Sequence, residues 1–249
     1  PPYTLWGCLS LKRWMKHNWK KLAAAVLLVL IAVCSRYGSL RSQPVLAADQ
    51  TPCRIVIDPG HGGEDGGATG VAGTRESDLN LAVSLRLQAL LRLFGHEPVM
   101  VRTTDTAVYS AGAGTISEKK VSDIHNRVRL VNDTPGALLV SIHQNFFTQG
   151  QYSGAQVFYA DDAYSRALAQ QLQAQLRASL DPGNRREAKG AAGTVYLMNH
   201  IQTPGILVEC GFLSNAAEEA RLNTPAYQTR LAMTMAAVLL QNLEDTNEV

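Results

Sequence analysis

The sequence predicts a three-layer α/β domain, a mostly parallel mixed sheet flanked by helices, preceded by an amino-terminal membrane segment. Three observations carry this reading. Short apolar runs such as "RIVID" and "GALLVSI" lack polar alternation, as strands covered on both faces do. They alternate with longer stretches of helical spacing, the order that builds a parallel sheet between helix layers. One further apolar run, residues 22–34, stands outside this alternation and follows a cationic head.

The head comes first. Residues 1–50 carry seven Lys or Arg against Asp49 alone, a charge of +6 that leaves the other 199 residues at −4 of the chain's +2. A mildly acidic domain argues against nucleic acid as partner, because phosphate binding needs clustered cations. Residues 1–21 read as a basic cytoplasmic head, 22–40 as a signal-anchor or transmembrane segment, 41–52 as a linker and 53–246 as the folded domain. The thirteen-residue run 22–34 matches a signal-peptide core, and extension to Leu40 gives nineteen residues that include Arg36. An uncleaved anchor is favoured over cleavage at Ala47 or Ala48. The positive flank stays in the cytoplasm, so the domain is expected outside. Cys8 and Cys34 belong to the head and anchor. Cys53 begins one strand and Cys210 ends another, roughly 15 Å apart at ~3.3 Å per residue if the strands are parallel. That separation forbids a disulfide between them.

Within the domain, "RIVID" is the first strand, and 77–95 a helix with Ser77 as cap and Gly95 as stop. "EPVMVR" is a second strand. Residues 117–134 form a capped amphipathic helix ending before Pro135, and 136–145 a third buried strand. "GAQVFYA" reads as an edge strand. In the next helix Tyr164, Leu168, Leu172, Leu176 and Leu180 make a four-residue ladder, read as core rather than as a partner groove. "TVYLM" and "GILVECGFL" follow as strands, and 224–245 closes as a helix. Segments 103–116 and 181–192 are the long loops, the usual place for functional rims.

Ligands of open α/β sheets sit beyond the carboxyl ends of the strands. Four polar residues fall there: His61 after "IVIDPG", Glu76 at the first helix entry, His143 after "LLVSI" and Glu209 after "ILV". Each has an ordinary explanation alone, a satisfied strand-end histidine or a carboxylate at a helix start. Glu209 is the least ordinary, since a carboxylate directly after an apolar strand must be paired or used. Two imidazoles and one carboxylate with an open fourth position make a catalytic zinc site, and a further carboxylate supplies its general base. Glu64 competes with Glu76 as the ligand, because His61-Gly-Gly-Glu64 has the short His-x-x-Glu spacing of zinc carboxypeptidases; spacing leaves the choice open. A phosphate loop GxxxxGK[ST] and a G-x-S-x-G elbow are both absent from the sequence.

"IVIDPGHGGEDGGA", "RESDLNLAVSLRLQALL", "LLVSIHQN" and "PGILVECGFLSN" resemble, in order, the four signature blocks of the zinc-dependent N-acetylmuramoyl-L-alanine amidases of bacterial cell walls. The resemblance spans residues 54–243. It implies one Zn2+ on His61, Glu76 and His143, catalysis assisted by Glu209, and Glu64 left as a loop acid. It also implies supporting positions for Asn145, Asp58 and Arg127. The short membrane segment and the blocks "NRVRLVN" and "SGAQVFYA" are most similar to the germination-specific amidases of spore formers. Those enzymes strip peptide stems from muramic acid in the spore cortex, toward muramic-lactam. The implied partners are peptidoglycan, the membrane through the amino-terminal segment, and an accessory activator of unknown identity. The implied place is the outer face of the cytoplasmic membrane or the wall, which in a spore former is the forespore intermembrane space. Phe146, Phe147 and Cys210 depart from small residues of the family pattern and bear on cleft shape. Two rival functions are a zinc carboxypeptidase acting on wall peptides and a non-catalytic peptidoglycan binder.

Overall fold

The computed structural model describes residues 54–191 and 193–244. The basic head, the expected anchor 22–40, the linker and Cys53 lie outside the described residues. Among the described residues, no helix is long and apolar enough to cross a membrane.

The elements run β1 (Arg54–Pro59), α1 (Glu76–Leu93), β2 (Val99–Met100), α2 (Ile116–Asn132), β3 (Ala137–Asn145), β4 (Gln156–Tyr159), α3 (Ala163–Leu180), β5 (Lys189–Gly190), α4 (Tyr196–His200), β6 (Gly205–Phe212), α5 (Ala216–Leu222) and α6 (Pro225–Glu244). The sheet has six strands in the order β2-β1-β3-β6-β4-β5. All neighbours are parallel except β4 and β6. The mixed, mostly parallel sheet of the sequence reading is therefore present.

Strand alternation divides the core in two. Ile55, Ile57, Val140, Ile206 and Val208 face α1, α3 and α6, meeting Val83, Leu87, Leu172 and Met235. Val56, Leu139 and Leu207 face the other way, against Val131 of α2 and Leu197 and Met198 of α4. The central strands are buried on both faces, which is why their sequences read as unbroken apolar runs. The ladder Tyr164, Leu168, Leu172 and Leu176 is buried, with Leu180 packed at its margin.

Several elements differ from expectation. "TVYLM" is not a strand: it enters α4, where Val195 N–H donates to Ala191 O and Asn199 N–H to Val195 O. Two successive apolar residues, Leu197 and Met198, are both buried, as a helix turn permits and an alternating strand does not. A short apolar run leaves strand and helix undecided on periodicity alone. "GAQVFYA" is not at the edge, because the two-residue β5 adds beyond it. The second strand shrinks to Val99–Met100. α1 begins at Glu76 rather than behind a Ser77 cap, since loop carbonyls serve its first amides: Glu76 N–H donates to Ala68 O and Ser77 N–H to Gly66 O. The cap of α2 is Thr115, in a reciprocal box with Glu118. The additional helix α5 is capped by Asn215.

Candidate metal centre

β1 ends at Pro59 and the chain turns immediately, with Gly60 N–H bonded to Ile142 O of β3. The turn brings two ligand candidates together. A Cβ on Gly60 would lie 2.2 Å from Nε2 of His143, so that imidazole occupies the space a side chain would take. His61 follows with φ +61°, left-handed and unusual for a residue with a Cβ. Two buried guanidiniums hold this backbone. Arg127 of α2 donates to Pro59 O and His61 O, at 3.0 and 2.8 Å. Arg102 donates to Pro59 O, Gly60 O and Ser77 O, at 2.9, 3.0 and 2.9 Å, tying the loop to the start of α1.

Glu76 enters from α1, almost wholly buried. Its Oε2 accepts from Ala68 N–H and its Oε1 from Gln144 N–H and Asn80 Nδ2. Those bonds fix both oxygens toward the histidines, with Oε1 2.9 Å from His143 Nδ1 and Oε2 3.3 Å from His61 Nε2. His143 and Glu209 are register partners on adjacent parallel strands, so both side chains leave the same face of the sheet. His61, Glu76 and His143 offer ligand atoms that all lie within 4.8 Å of one another. Two imidazoles and a carboxylate around one shared space are a donor set that can hold a metal ion.

The electrostatics fit a cation at this place. His61 Nδ1 bonds Asp65 Oδ2 at 2.8 Å while Nε2 faces Glu76. Burial works against protonating His61, but the bonds to Asp65 and Glu76 prevail and push its pKa up to about 9. Burial opposes ionisation of Glu76 too, yet the two histidines hold it well below the usual carboxylate range. The metal-free centre thus keeps a proton between two carboxylates, where a divalent cation would take its place. Metal uptake then expels that proton. Between pH 6.5 and 9, apparent metal affinity is expected to rise by up to about tenfold per pH unit and to level off above 9. His61, its pKa raised on folding, stabilises the metal-free fold fully below about 6.5, and this contribution disappears as pH passes 9. Calorimetry in buffers of different ionisation enthalpy measures the released proton; uptake with none released at pH 7.5 would contradict this arrangement.

Glu209 is partly buried, and its Oε2 is sealed from water without a hydrogen-bond partner. Burial, reinforced by the charge of Glu76 and opposed by the histidines, raises its pKa to about 7. A carboxylate left unbonded beside a cluster that could hold a metal ion is free to accept and return a proton near neutral pH.

The supporting residues divide. Asp58, whose carboxylate burial alone would push up, is held below the usual range by Arg127 and by Ser141 Oγ, which donates to it at 2.7 Å. Arg127 also grips Asp123 of its own helix. Arg127→Met leaves Asp58 buried and uncompensated, with an expected cost of about 3–5 kcal/mol and a melting point lowered by roughly 10 °C, checked by thermal unfolding. Asn145 closes β3, half-buried, its backbone oxygen accepting from Leu213 N–H; strand position is its tie to the centre. Glu64 lies away from the cluster, 60% exposed, and pairs with Lys119 Nζ at 2.8 Å. Three residues were not legible as site members. Asp65 orients His61, as outer carboxylates do for metal-binding histidines. Arg102 braces the loop backbone. Glu219 of α5 accepts from Ala72 N–H and Thr74 N–H and so anchors the approach to Glu76. Only Asp65 carried a local signal, an acid four residues after the loop histidine.

Comparison with known proteins bears on the same residues. A family model described as N-acetylmuramoyl-L-alanine amidase matches residues 55–241. The germination-specific N-acetylmuramoyl-L-alanine amidase of Bacillus subtilis (strain 168) is 38% identical over 188 residues, 75% of this chain and 78% of that protein. The N-acetylmuramoyl-L-alanine amidase LytC of the same strain is 33% identical over 208 residues, 82% of this chain and 37% of the longer relative. Among solved structures, the CwlD amidase from Clostridioides difficile, in complex with the GerS lipoprotein, matches with a TM-score of 0.73 at 34% identity. That match covers 79% of this chain and 99% of the other.

Proposed function

The chain belongs to the N-acetylmuramoyl-L-alanine amidase family, and from that premise we propose a peptidoglycan amidase that works with one zinc ion on His61, Glu76 and His143 and with Glu209 as proton carrier. The bond cut joins the lactyl carbonyl of N-acetylmuramic acid to the nitrogen of L-alanine. The observation that carries the assignment of roles is the unbonded Oε2 of Glu209 beside three converging ligand atoms. Two histidines and one acid are the usual catalytic zinc set, with an open position for water or substrate.

When bound, zinc supplies Lewis acidity, lowering the pKa of water to about 7 and polarising the carbonyl. The protein's own residues supply the rest. Asp65 holds Nδ1 of His61 and leaves Nε2 for the ligand position, while Ala68, Asn80 and Gln144 keep the Glu76 carboxylate in place. Glu209 accepts the proton of the attacking water on its carboxylate. It then delivers that proton to the nitrogen of L-alanine as the C–N bond breaks, so the peptide leaves as a neutral amine. Near pH 7 the raised pKa of Glu209 suits both transfers.

The similarity to a germination-specific enzyme supports a role in the spore cortex, where removal of stems precedes muramic-lactam. The solved relative's lipoprotein complex supports an accessory partner for this chain. The basic head with its apolar run supports export and attachment at the outer face of the cytoplasmic membrane, with residues 53–246 as the catalytic domain. Mass analysis of sacculi or cortex digested with the zinc-loaded protein tests the function. Intact stems with a free L-alanine amino group are the expected product. Release of single terminal amino acids would make it a carboxypeptidase, and uncut muropeptide a binding protein.

A further inference from the structure

β3 does not end at the metal centre. Beyond His143 it runs on to Asn145, roughly 7 Å farther along the strand, and Phe146 and Phe147 follow directly. These two are 45% and 52% exposed, and Tyr152 of the same loop is exposed as well. The proposed chemistry uses none of the three. Several contacts hold this loop in place. Phe147 N–H donates to Ser214 Oγ at 3.1 Å, and the Phe147 ring meets Tyr152 edge-on, with centres 5.1 Å apart. Tyr152 in turn lies 6.2 Å, centre to centre, from the buried Phe212, the register partner of Asn145.

The rings sit on the same side of the sheet as the metal centre. His143, Glu209 and Gln156 are register partners across β3, β6 and β4, so their side chains share one face. Arg186 joins that row to the rings: it donates to Gln156 Oε1 at 3.1 Å, and its guanidinium covers Phe212 at 4.3 Å. Glu218, beneath the loop, is buried and spent on Gly154 N–H, Phe212 N–H and Arg221. What the shelf presents is therefore ring faces with a guanidinium at their inner edge.

The chemistry of the substrate narrows the occupant. Only the ether oxygen and one carbon of the lactyl group separate the sugar ring of muramic acid from the scissile carbonyl, so the glycan must pass close to the centre. The face of an N-acetylated sugar is uncharged and made of C–H bonds, which are drawn to the negative face of an aromatic ring. That same negative face opposes the free carboxylates of a stem peptide. A guanidinium supplies donors for a sugar hydroxyl or acetamido oxygen.

We infer that Phe147 and Tyr152 form a glycan subsite, on which a sugar of the strand stacks beside the muramic acid whose stem is cut, with Arg186 as its polar contact. The inference rests on the amidase reading and adds to it a preference for polymeric glycan over an isolated muramyl peptide.

Two substrates with the same stem test it: an N-acetylmuramoyl peptide alone, and the same unit within a tetrasaccharide. The zinc-loaded wild type is expected to show a KM roughly fivefold to tenfold lower for the longer glycan. Phe147→Ala, and separately Tyr152→Ala, raise KM for the tetrasaccharide and bring the ratio close to one, whereas Phe147→Tyr keeps it. Equal KM values in the wild type overturn the glycan subsite. So does a loss of equal size on both substrates, which would assign the rings to the stem or the metal centre. A ratio unchanged in both alanine variants overturns it too, and leaves the rings to a protein partner. Each of these results leaves the amidase reading standing. Failure to cut either substrate overturns the amidase reading and this inference with it.

Discussion

Glu209→Gln is expected to bind one zinc as the wild type does and to lose muropeptide cleavage by about 10²–10⁴-fold, the usual contribution of a positioned general acid–base. The substitution keeps size and shape. Oε2 makes no hydrogen bond, so replacing it removes no contact that holds the fold together. It also removes the electrostatic conflict between Glu209 and the nearby Glu76, both drawn to the same histidines. The variant should therefore be at least as stable as the parent when metal-free, especially at alkaline pH. A carboxyl whose pKa is raised on folding costs stability increasingly from pH 4.5 to 7, and the amide is spared that cost. Kinetics on muropeptide beside metal content and melting temperature separate the outcomes. Full residual activity would remove Glu209 from the chemistry.

The second large effect is expected from His143→Ala, which should abolish stoichiometric zinc binding and reduce cleavage to background. His143 is a cleaner target than His61. It sits within β3, whereas His61 holds a left-handed backbone that alanine adopts poorly. Removing the imidazole takes away one of three ligand atoms and one partner of Glu76 Oε1. The void opens over Gly60, where the His143 side chain is 20% exposed, rather than in the apolar core, so the fold should persist. Metal analysis of the purified variant checks this. Zinc content equal to the parent's would refute the ligand assignment.

Much of this centre was legible in the chain itself, for a physical reason. A doubly covered parallel sheet writes its strands as plain apolar runs, and the polar residue that breaks each run lies toward the carboxyl end where ligands collect. β3 nevertheless continues to Asn145 and β6 to Phe212, beyond His143 and Glu209. His61, His143 and Glu209 each terminate or follow such a run. Glu76 against Glu64 could not be decided by spacing. The fold separates them because α1 aims Glu76 inward, with two backbone amides and Asn80 on its oxygens, whereas Glu64 faces solvent and Lys119. The bracing residues were hidden for another reason. Arg102 and Glu219 hold backbone atoms far from them in sequence, and a side chain bonded to a main-chain group leaves no complementary residue to recognise. The short elements α4 and β5 were set by what they pack against, the second core cluster for α4 and β4 for β5, rather than by propensity. Five apolar-rich residues and a Lys-Gly pair carry too little periodicity to announce themselves.

One zinc ion is proposed on His61, Glu76 and His143. Anomalous diffraction at the zinc edge, from crystals of the zinc-loaded chain, tests it most directly. A single peak is expected within about 2.0–2.2 Å of both imidazoles and of the Glu76 carboxylate. A peak bound by Glu64 in place of Glu76, or no peak between the two histidines, would contradict it.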